Sequence, residues 1–554
     1  MQSSSSSPFS PSSPRSLSLH ADGSAGLLLA IAPLSPSDTN PPLGPWLLKH
    51  VLAQEGISVQ VVDLGIRYLD ELRAASGGAS INASLCDVAT ALVGDQDKNR
   101  RLTHAARDRF VGESPLTLER SEHVPCSADP VLALSYSFDA VDRAVERLLV
   151  EASWVNFVHR WIFNPLHGTR PTAFGVSIMG PAQVVPSLAL AAMSHARWPG
   201  IPVIAGGSHV TLLAPEIGRD ARYGGHIDLF LPGHSEHELV SVMRVLSSGG
   251  TLATCVGLRA GSEMVCAPRF VPLTHSKNAR HVGVAKFAYE SALDREALEG
   301  YDLERVTIPM QLTRGCAYGK CTYCTYPAVE PEVSSIDLPR ALTSIERMIQ
   351  RTCIRRFSFK DSFFTPRALR ELADGLLDAQ VEMEWSATTM LNNSLDDALL
   401  ARLASAGCRT LEFGLETIDG CGQSMFAKPL DRHMAERVIA TCVRHGVAVV
   451  VNQIFGFPGQ TQASALEQLA WFDALRSASS APELIHASCN LLEINRGAPM
   501  AKDPAQFEIE LQGIAPWAFS YAWNAPAWRP AFGALLRGRE SCGVVEELLV
   551  ESCA

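Results

Sequence analysis

The chain reads as an α/β protein made of two successive strand–helix series. Short apolar runs of strand length alternate with helix-length stretches twice along the 554 residues, once before position 250 and again after 300. Alternation of this kind makes a parallel sheet flanked by helices. A Gly-Gly pair closes one strand of the first series, and a cysteine-rich loop follows the first strand of the second. The second series holds about five or six β/α units, which fits a full or partial barrel with active groups at its C-terminal mouth.

The elements follow in order. Residues 1–24 are rich in Ser and Pro, cannot bury a core and are expected to be disordered. Residues 25–250 form the first α/β domain, with a helical insertion. Leu27–Ala32 is a strand, Leu43–Glu55 a helix and Val59–Asp63 a second strand, and residues 66–165 read as mostly helical. Strand Ala173–Ile178, helix Val184–Arg197 and strand Pro202–Ala205 follow, then Gly206-Gly207 and a helix starting near Thr211. Strand Asp228–Leu231 and a turn at Pro232-Gly233 close the series.

Residues 251–300 are a connector, and 301–500 hold the second series. Its strands are Ile308–Thr313, Arg356–Lys360, Glu382–Ala387, Thr410–Gly414 and Ala448–Phe455. Helices between them include Pro339–Arg351, Pro366–Leu377, Asp396–Ala406 and Met434–His445. Residues 501–554 carry Trp517, Trp523 and Trp528 among prolines and suggest no particular fold.

Bulk properties narrow the function. The length suggests roughly three to four domains, and 47% hydrophobic with 19% charged residues is globular material. A net charge of −11 argues against a general nucleic-acid binder. No apolar run is long enough to span a membrane, and Leu27–Ile31 lacks the flanks of a signal peptide. The 14 cysteines show no disulfide-framework spacing, so a reducing cytoplasm is expected. Isolated ones such as Cys86, Cys255, Cys353, Cys408 and Cys489 read as small buried residues.

The chemistry sits in Arg314-Gly315-Cys316-Ala317-Tyr318-Gly319-Lys320-Cys321-Thr322-Tyr323-Cys324, a C-x4-C-x2-C run. Three thiolates can hold three irons of a [4Fe–4S] cluster and leave the fourth iron open to a cofactor. A zinc site remains an alternative if a distant fourth ligand completes it.

That run, LTRGCAYGKCTYC after a strand, resembles the cluster loop of radical S-adenosylmethionine (SAM) enzymes. Its spacing resembles the variant in members that carry an N-terminal cobalamin-binding domain, the superfamily's usual first gap being one residue shorter. Phe357–Thr365 (FSFKDSFFT), Glu412–Thr417 (EFGLET) and Asn452–Thr461 (NQIFGFPGQT) resemble the later barrel segments around the SAM methionine end, ribose and adenine. Asn40–Asp63, Ile201–Leu213 and Leu229–Leu239 resemble the Rossmann-like cobalamin domain, although the usual acidic turn here contains His234 and His237. The motif Asp-x-His-x-x-Gly, whose His becomes a lower cobalt ligand, is absent. This leaves the lower face open or held by another group, and leaves room for a domain that binds no corrinoid.

The resemblance implies a Rossmann-like cobalamin domain followed by a radical SAM core. It implies Cys316, Cys321 and Cys324 as cluster ligands, catalytic through the SAM bound at the open iron. Tyr323, Asp361, Glu416, Asn452, Gly456 and Gly459 would meet SAM. Pro42, Leu43, Ser177, Gly206, Gly207, Ser208, His209 and Gly233 would meet the corrin. Plainer readings stand beside these: salt bridges from Asp361 to Lys360 and from Glu416 to Arg409, simple turns at the glycines, a helix cap at His209, and solvent-facing His234 and His237.

The implied reaction starts with one electron from a reductase, ferredoxin or flavodoxin. It cleaves SAM to a 5′-deoxyadenosyl radical, which abstracts hydrogen, and a methyl group passes through cobalamin to an unactivated carbon of a small metabolite or peptide. Ring contraction, cyclisation or another non-methylating radical step is the alternative within this chemistry. A non-catalytic cobalamin or redox sensor is the alternative outside it, and the intact cysteine run with its ordered barrel segments speaks against that. A methylthiotransferase acting on transfer RNA lacks its extra cysteines and basic tail here. Neither a nucleic-acid nor a membrane partner is expected.

Overall fold

The computed structural model describes residues 26–32, 40–68, 136–262 and 291–540. The Ser/Pro-rich start, the middle of the expected helical insertion, much of the connector, and Cys86 lie outside the described residues. The chain divides into two compact units. The first takes residues up to 122, 129–266 and 298–305, and the second takes the rest. The expected connector is therefore shared between the units rather than separate from both.

In the first unit, β1 (Gly26–Ile31), α1 (Leu43–Gln54) and β2 (Ser58–Asp63) precede α2 (Phe138–Val150) and α3 (Ala152–Val158). Then come β3 (Ala173–Ser177), α4 (Val184–Arg197), β4 (Val203–Gly206), α5 (Ser208–Ile217), β5 (Leu229–Leu231) and α6 (Glu236–Ser247). The sheet runs β2-β1-β3-β4-β5, every pair parallel. All six residues of β1 are buried, because helices cover both faces of a parallel sheet and a strand inside it must be apolar throughout. β2 lies at the edge and leaves Ser58, Gln60 and Asp63 half-buried. The order reverses between β1 and β3, and at such a switch point ligands bind beyond the strands' carboxyl ends.

The second unit begins with β6 (Ile308–Met310), β7 (Thr313–Arg314), α7 (Tyr326–Val329), β8 (Ser334–Ser335) and α8 (Leu338–Thr352). It continues with β9 (Arg356–Phe359), α9 (Pro366–Asp378), β10 (Glu384–Thr389), α10 (Asp397–Ser405) and β11 (Cys408–Glu416). Helices α11 (Gly420–Met425) and α12 (Arg432–Arg444), β12 (Ala448–Phe455), α13 (Gln462–Ser477) and β13 (Ile485–Leu491) complete the core. Strands β6, β9, β10, β11, β12 and β13 lie side by side in chain order, all parallel, with β6 and β13 as the outer strands. This is a six-stranded partial barrel. Asp337, Thr365, Asp396, Asp431 and Thr461 each accept a first-turn N–H, so the helices start where such residues stand in the sequence.

The C-terminal aromatic stretch folds onto this core. β14 (Ile494–Asn495), α14 (Pro499–Lys502), β15 (Leu511–Gly513), β16 (Ser520–Trp523) and α15 (Arg529–Glu540) make an antiparallel sheet, β14-β16-β15, and two helices. Ile494, Met500, Phe507 and Ile509 pack with Phe426 and Phe457 of the core, and Tyr323 and Trp523 border the same cluster.

Candidate active site

The first strand of the second unit is shorter than its sequence suggests, and the cause makes the site. β6 stops at Met310, and the Asp361 carboxylate beyond β9 accepts the backbone N–H groups of Leu312 (3.1 Å) and Thr313. The chain leaves the ladder there, and β7 pairs antiparallel with β8. A closed loop carrying the three cysteines hangs between them. Gly315 starts it at φ 76°, where a Cβ would stand 2.3 Å from the Glu332 carbonyl oxygen. Its N–H donates to the Glu330 carboxylate at 2.7 Å, which also accepts the Tyr326 hydroxyl at 2.6 Å.

Cys316, Cys321 and Cys324 are half-buried free thiols. The N–H of Gly319 points to Cys316 Sγ at 3.4 Å, and that of Tyr326 to Cys324 Sγ at 3.4 Å. Such bonds suit thiolates that hold metal. Burial pushes the Cys324 thiol up to about 12 and also raises that of Cys321, against which the Lys428 charge pulls. Metal binding would replace those protons. Among the described residues, no three or more His, Cys, Asp or Glu are gathered as ligands for one ion. Three thiolates on one loop suit three irons of a [4Fe–4S] cluster.

The loop is stapled to the chain after α11. Tyr318 Oη donates to the Ala427 carbonyl, Thr322 Oγ1 to that of Met425 (2.7 Å), and Thr322 accepts the Met500 N–H (2.9 Å) from the C-terminal segment. Tyr323 Oη donates to Glu416 Oε1 at 2.7 Å, and its ring meets Phe426 edge-on at 5.1 Å. Glu416 takes Lys428 Nζ on the same oxygen at 2.7 Å. The sequence pointed to Tyr323 and Glu416. It missed Lys428, twelve positions downstream, because nothing local marks it.

Several plain pairings change. Arg409 bonds Glu384 (3.0 Å), so the Arg409–Glu416 bridge is replaced by Lys428–Glu416. Asp361 accepts the backbone N–H groups of Leu312 and Thr313, a structural role that the sequence did not suggest. Gln468, unmarked in the sequence and fully buried, donates to the Glu416 carbonyl (3.1 Å) and accepts from Thr417 Oγ1 (2.8 Å). It fixes the residue whose φ of 64° ends β11. Gly456 donates its N–H to Gln460 Oε1 at 2.6 Å, and it lies against the buried Arg529 side chain. Gly459 turns at φ 76°.

The sheet face away from the helices is polar. Ser358, Ser386, Thr388, Glu412, Asn452 and Ser488 share it by register, all half-buried. Asn452 Nδ2 donates to Glu412 Oε1 at 2.6 Å and Thr388 Oγ1 to Glu412 Oε2 at 3.4 Å. The opposite face carries Phe357, Phe359, Trp385, Leu411, Phe413 and Leu415, fully buried. An ordinary barrel interior is filled by branched apolar side chains, whereas this one is lined by hydrogen-bonding groups.

In the first unit, the residues expected at a corrin gather at the sheet's carboxyl edge. Ser177 ends β3, Gly206 ends β4, Gly233 follows β5, and Pro42 and Leu43 open α1. Gly207 at φ 110° caps α5, and a Cβ there would stand 2.3 Å from the Ile178 carbonyl oxygen. Thr211 joins two turns, donating to the Gly207 carbonyl (2.9 Å) and accepting the Gly233 N–H (2.8 Å). Gln183 ties β1 to β3 by donating to the Ala32 carbonyl (2.9 Å) and accepting the Met179 N–H (2.8 Å). Gly44 and Gly180 have nothing within 4 Å of where a Cβ would be. The edge is therefore lined by small residues and backbone, as a flat macrocycle needs. Two histidines correct the sequence reading: His209 is fully buried on α5, and His234 is half-buried. His237 is exposed as expected. Of the isolated cysteines, Cys255 and Cys408 are buried, Cys489 is half-buried and Cys353 is exposed.

Known proteins agree with this architecture. Residues 310–471 match the Radical SAM superfamily, so the partial barrel with its cysteine loop is a radical SAM domain. The fold of both units is shared with two solved proteins. One is the radical S-adenosylmethionine methyltransferase TsrM from Kitasatospora setae, solved with cobalamin and a [4Fe–4S] cluster (16% identity, 91% of this chain and 84% of that one, TM-score 0.55). The other is OxsB, a cobalamin-dependent S-adenosylmethionine radical enzyme (11% identity, 93% of this chain and 66% of that one, TM-score 0.58). TsrM has also been solved with its tryptophan substrate and a SAM analogue (16% identity, 93% of this chain and 88% of that one, TM-score 0.56). No curated protein matches the chain in sequence. The chain thus carries a radical SAM domain and shares the fold of solved cobalamin-dependent radical SAM enzymes. Among the described residues, no helix is long and apolar enough to cross a membrane.

Proposed function

We propose that this chain methylates an unactivated carbon of a small polar metabolite or peptide, using a [4Fe–4S] cluster, SAM and cobalamin. The observation that carries the reading is the cysteine loop, built by Asp361 at the mouth of a radical SAM barrel. Cys316, Cys321 and Cys324 would hold the cluster, which supplies the electron that splits SAM. Glu416, set by Gln468 and Lys428, is the polar group next to that loop, and Asn452 and Glu412 lie on the polar barrel face. That face would bind the substrate through hydrogen bonds and exclude bulk water. The carboxyl edge at Ser177, Gly206, Gly207 and Gly233 would cradle the corrin, which supplies methyl transfer. A flavodoxin, ferredoxin or reductase would deliver the electron.

Anaerobic purification with hydroxocobalamin, followed by iron, sulfide and cobalt analysis, tests this. About four irons and one cobalt per chain are expected, and a product heavier by one CH2 identifies methylation. Four irons without cobalt would overturn the methylation reading and leave other radical chemistry. A product that gains no CH2 would select non-methylating radical chemistry instead.

A further inference from the structure

Three groups from separate stretches meet behind the cysteine loop. Glu416 Oε1 takes both Tyr323 Oη and Lys428 Nζ at 2.7 Å. Lys428 is 9% exposed and Glu416 6%. The ammonium is held by construction: Ala427 before it is left-handed at φ 51°, and its own N–H donates to the Gln423 carbonyl at 3.0 Å. The residues just before it are bonded to Tyr318 and Thr322 of the loop. Gly414 leaves room for it, since a Cβ there would stand 2.3 Å from Lys428 Nζ. Burial works against the charge, but the Glu416 carboxylate and Cys321 more than offset it and keep Lys428 protonated.

We propose that Lys428 tunes the reduction potential of the cluster held by Cys316, Cys321 and Cys324, with Glu416 as its counterweight. The proposal rests on the cluster reading above. Reduction adds one electron to a thiolate-bound cluster and makes it more negative, and the reductant is the external donor. A buried positive charge linked through Glu416 to Tyr323, the neighbour of Cys324, favours that state, and salt screens it little. Cluster potentials respond to net charge and to bonds at the sulfurs. Lys428 is therefore a positioning residue for charge, acting through the loop.

Wild type, Lys428→Met, Lys428→Arg and Glu416→Gln are reconstituted anaerobically and assayed for iron and sulfide. Their clusters are then titrated against poised potentials with dithionite and mediators, read by electron paramagnetic resonance without SAM. Lys428→Met is expected to lower the reduced-to-oxidised ratio at fixed potential about tenfold, ~59 mV for one electron. Glu416→Gln moves the potential the other way, and Lys428→Arg stays near wild type. Should Lys428→Met fail to load, the opposite displacement of Glu416→Gln against an unmoved Lys428→Arg still supports the proposal. Fully loaded variants that all keep the wild-type potential overturn it. A wild-type chain that takes up no iron overturns the cluster reading itself.

Discussion

Replacing Gly207 by Ala probes the carboxyl edge of the first sheet. Gly207 has φ 110° and ψ 170°, a region that side-chain-bearing residues avoid, at a cost of about 1–3 kcal/mol. The new Cβ would also stand 2.3 Å from the Ile178 carbonyl oxygen and 2.8 Å from its carbon. Relief requires β3 and β4 to part at their carboxyl ends. That strains the bonds from His209 N to Ile178 O (3.2 Å) and from Ile178 N to Gly206 O (2.8 Å), each contributing about 1 kcal/mol. The total loss is about 3–5 kcal/mol. Gly180→Ala is the matched control: it lies at the same edge with φ −155° and nothing within 4 Å, so it should cost under about 0.5 kcal/mol. Urea unfolding of the metal-free protein measures both, and cobalt content after hydroxocobalamin loading measures the site. The reasoning fails if Gly207→Ala is within about 1 kcal/mol of wild type, or if Gly180→Ala is equally damaged.

Cys321→Ala should abolish the cluster's visible absorbance and all SAM cleavage; cleavage that persists in a reconstituted sample would remove Cys321 from the ligand set. Gln468→Ala strips partners from Thr417, Gln453 and the Glu416 carbonyl, so a loss of about 2–4 kcal/mol is expected by urea unfolding, with weaker SAM binding by equilibrium dialysis. An unchanged midpoint would show that Gln468 does not fix the β11 turn. Burial raises the Asp63 carboxyl above its ordinary value, and the Tyr301 hydroxyl, bonded at 2.6 Å, pulls it back. Its folded pKa exceeds the unfolded one, so its contribution is full below the unfolded value and is lost as pH rises through the folded one. Tyr301→Phe should carry that decline to higher pH in urea midpoints measured across the acid range, and a shallower dependence than wild type would refute it.

Legibility in the sequence followed the range of the interaction. Periodicity and turn chemistry are local, so the two α/β series, the partial barrel and the helix starts near Asp337, Thr365, Asp396 and Asp431 were readable. The cysteine spacing is local too, and it pointed to the cluster loop before any fold was known. Asp361 stood out as an acid at a strand end, but its task was hidden. Only the pairing of β6 with β9 brings it to the N–H groups of Leu312 and Thr313, some fifty residues earlier.

The same limit explains the other misses. Whether the Glu416 partner was Arg409 or Lys428 could not be decided by proximity along the chain. β11 sends Arg409 outward to Glu384, and the turn after α11 brings Lys428 back. His209 read equally as a corrin contact or a surface cap, and α5 folds it inward, which removes the surface reading. The tryptophan-rich end had no periodicity to read, because its three short strands gain their order from packing on Phe426 and Phe457. By itself the sequence determined which segments are strands and helices and which cysteines belong together, because those depend on neighbours in the chain. The tertiary structure alone decided which charges pair, which glutamine holds the turn and which face of the barrel is polar, because burial makes those choices between residues far apart in sequence.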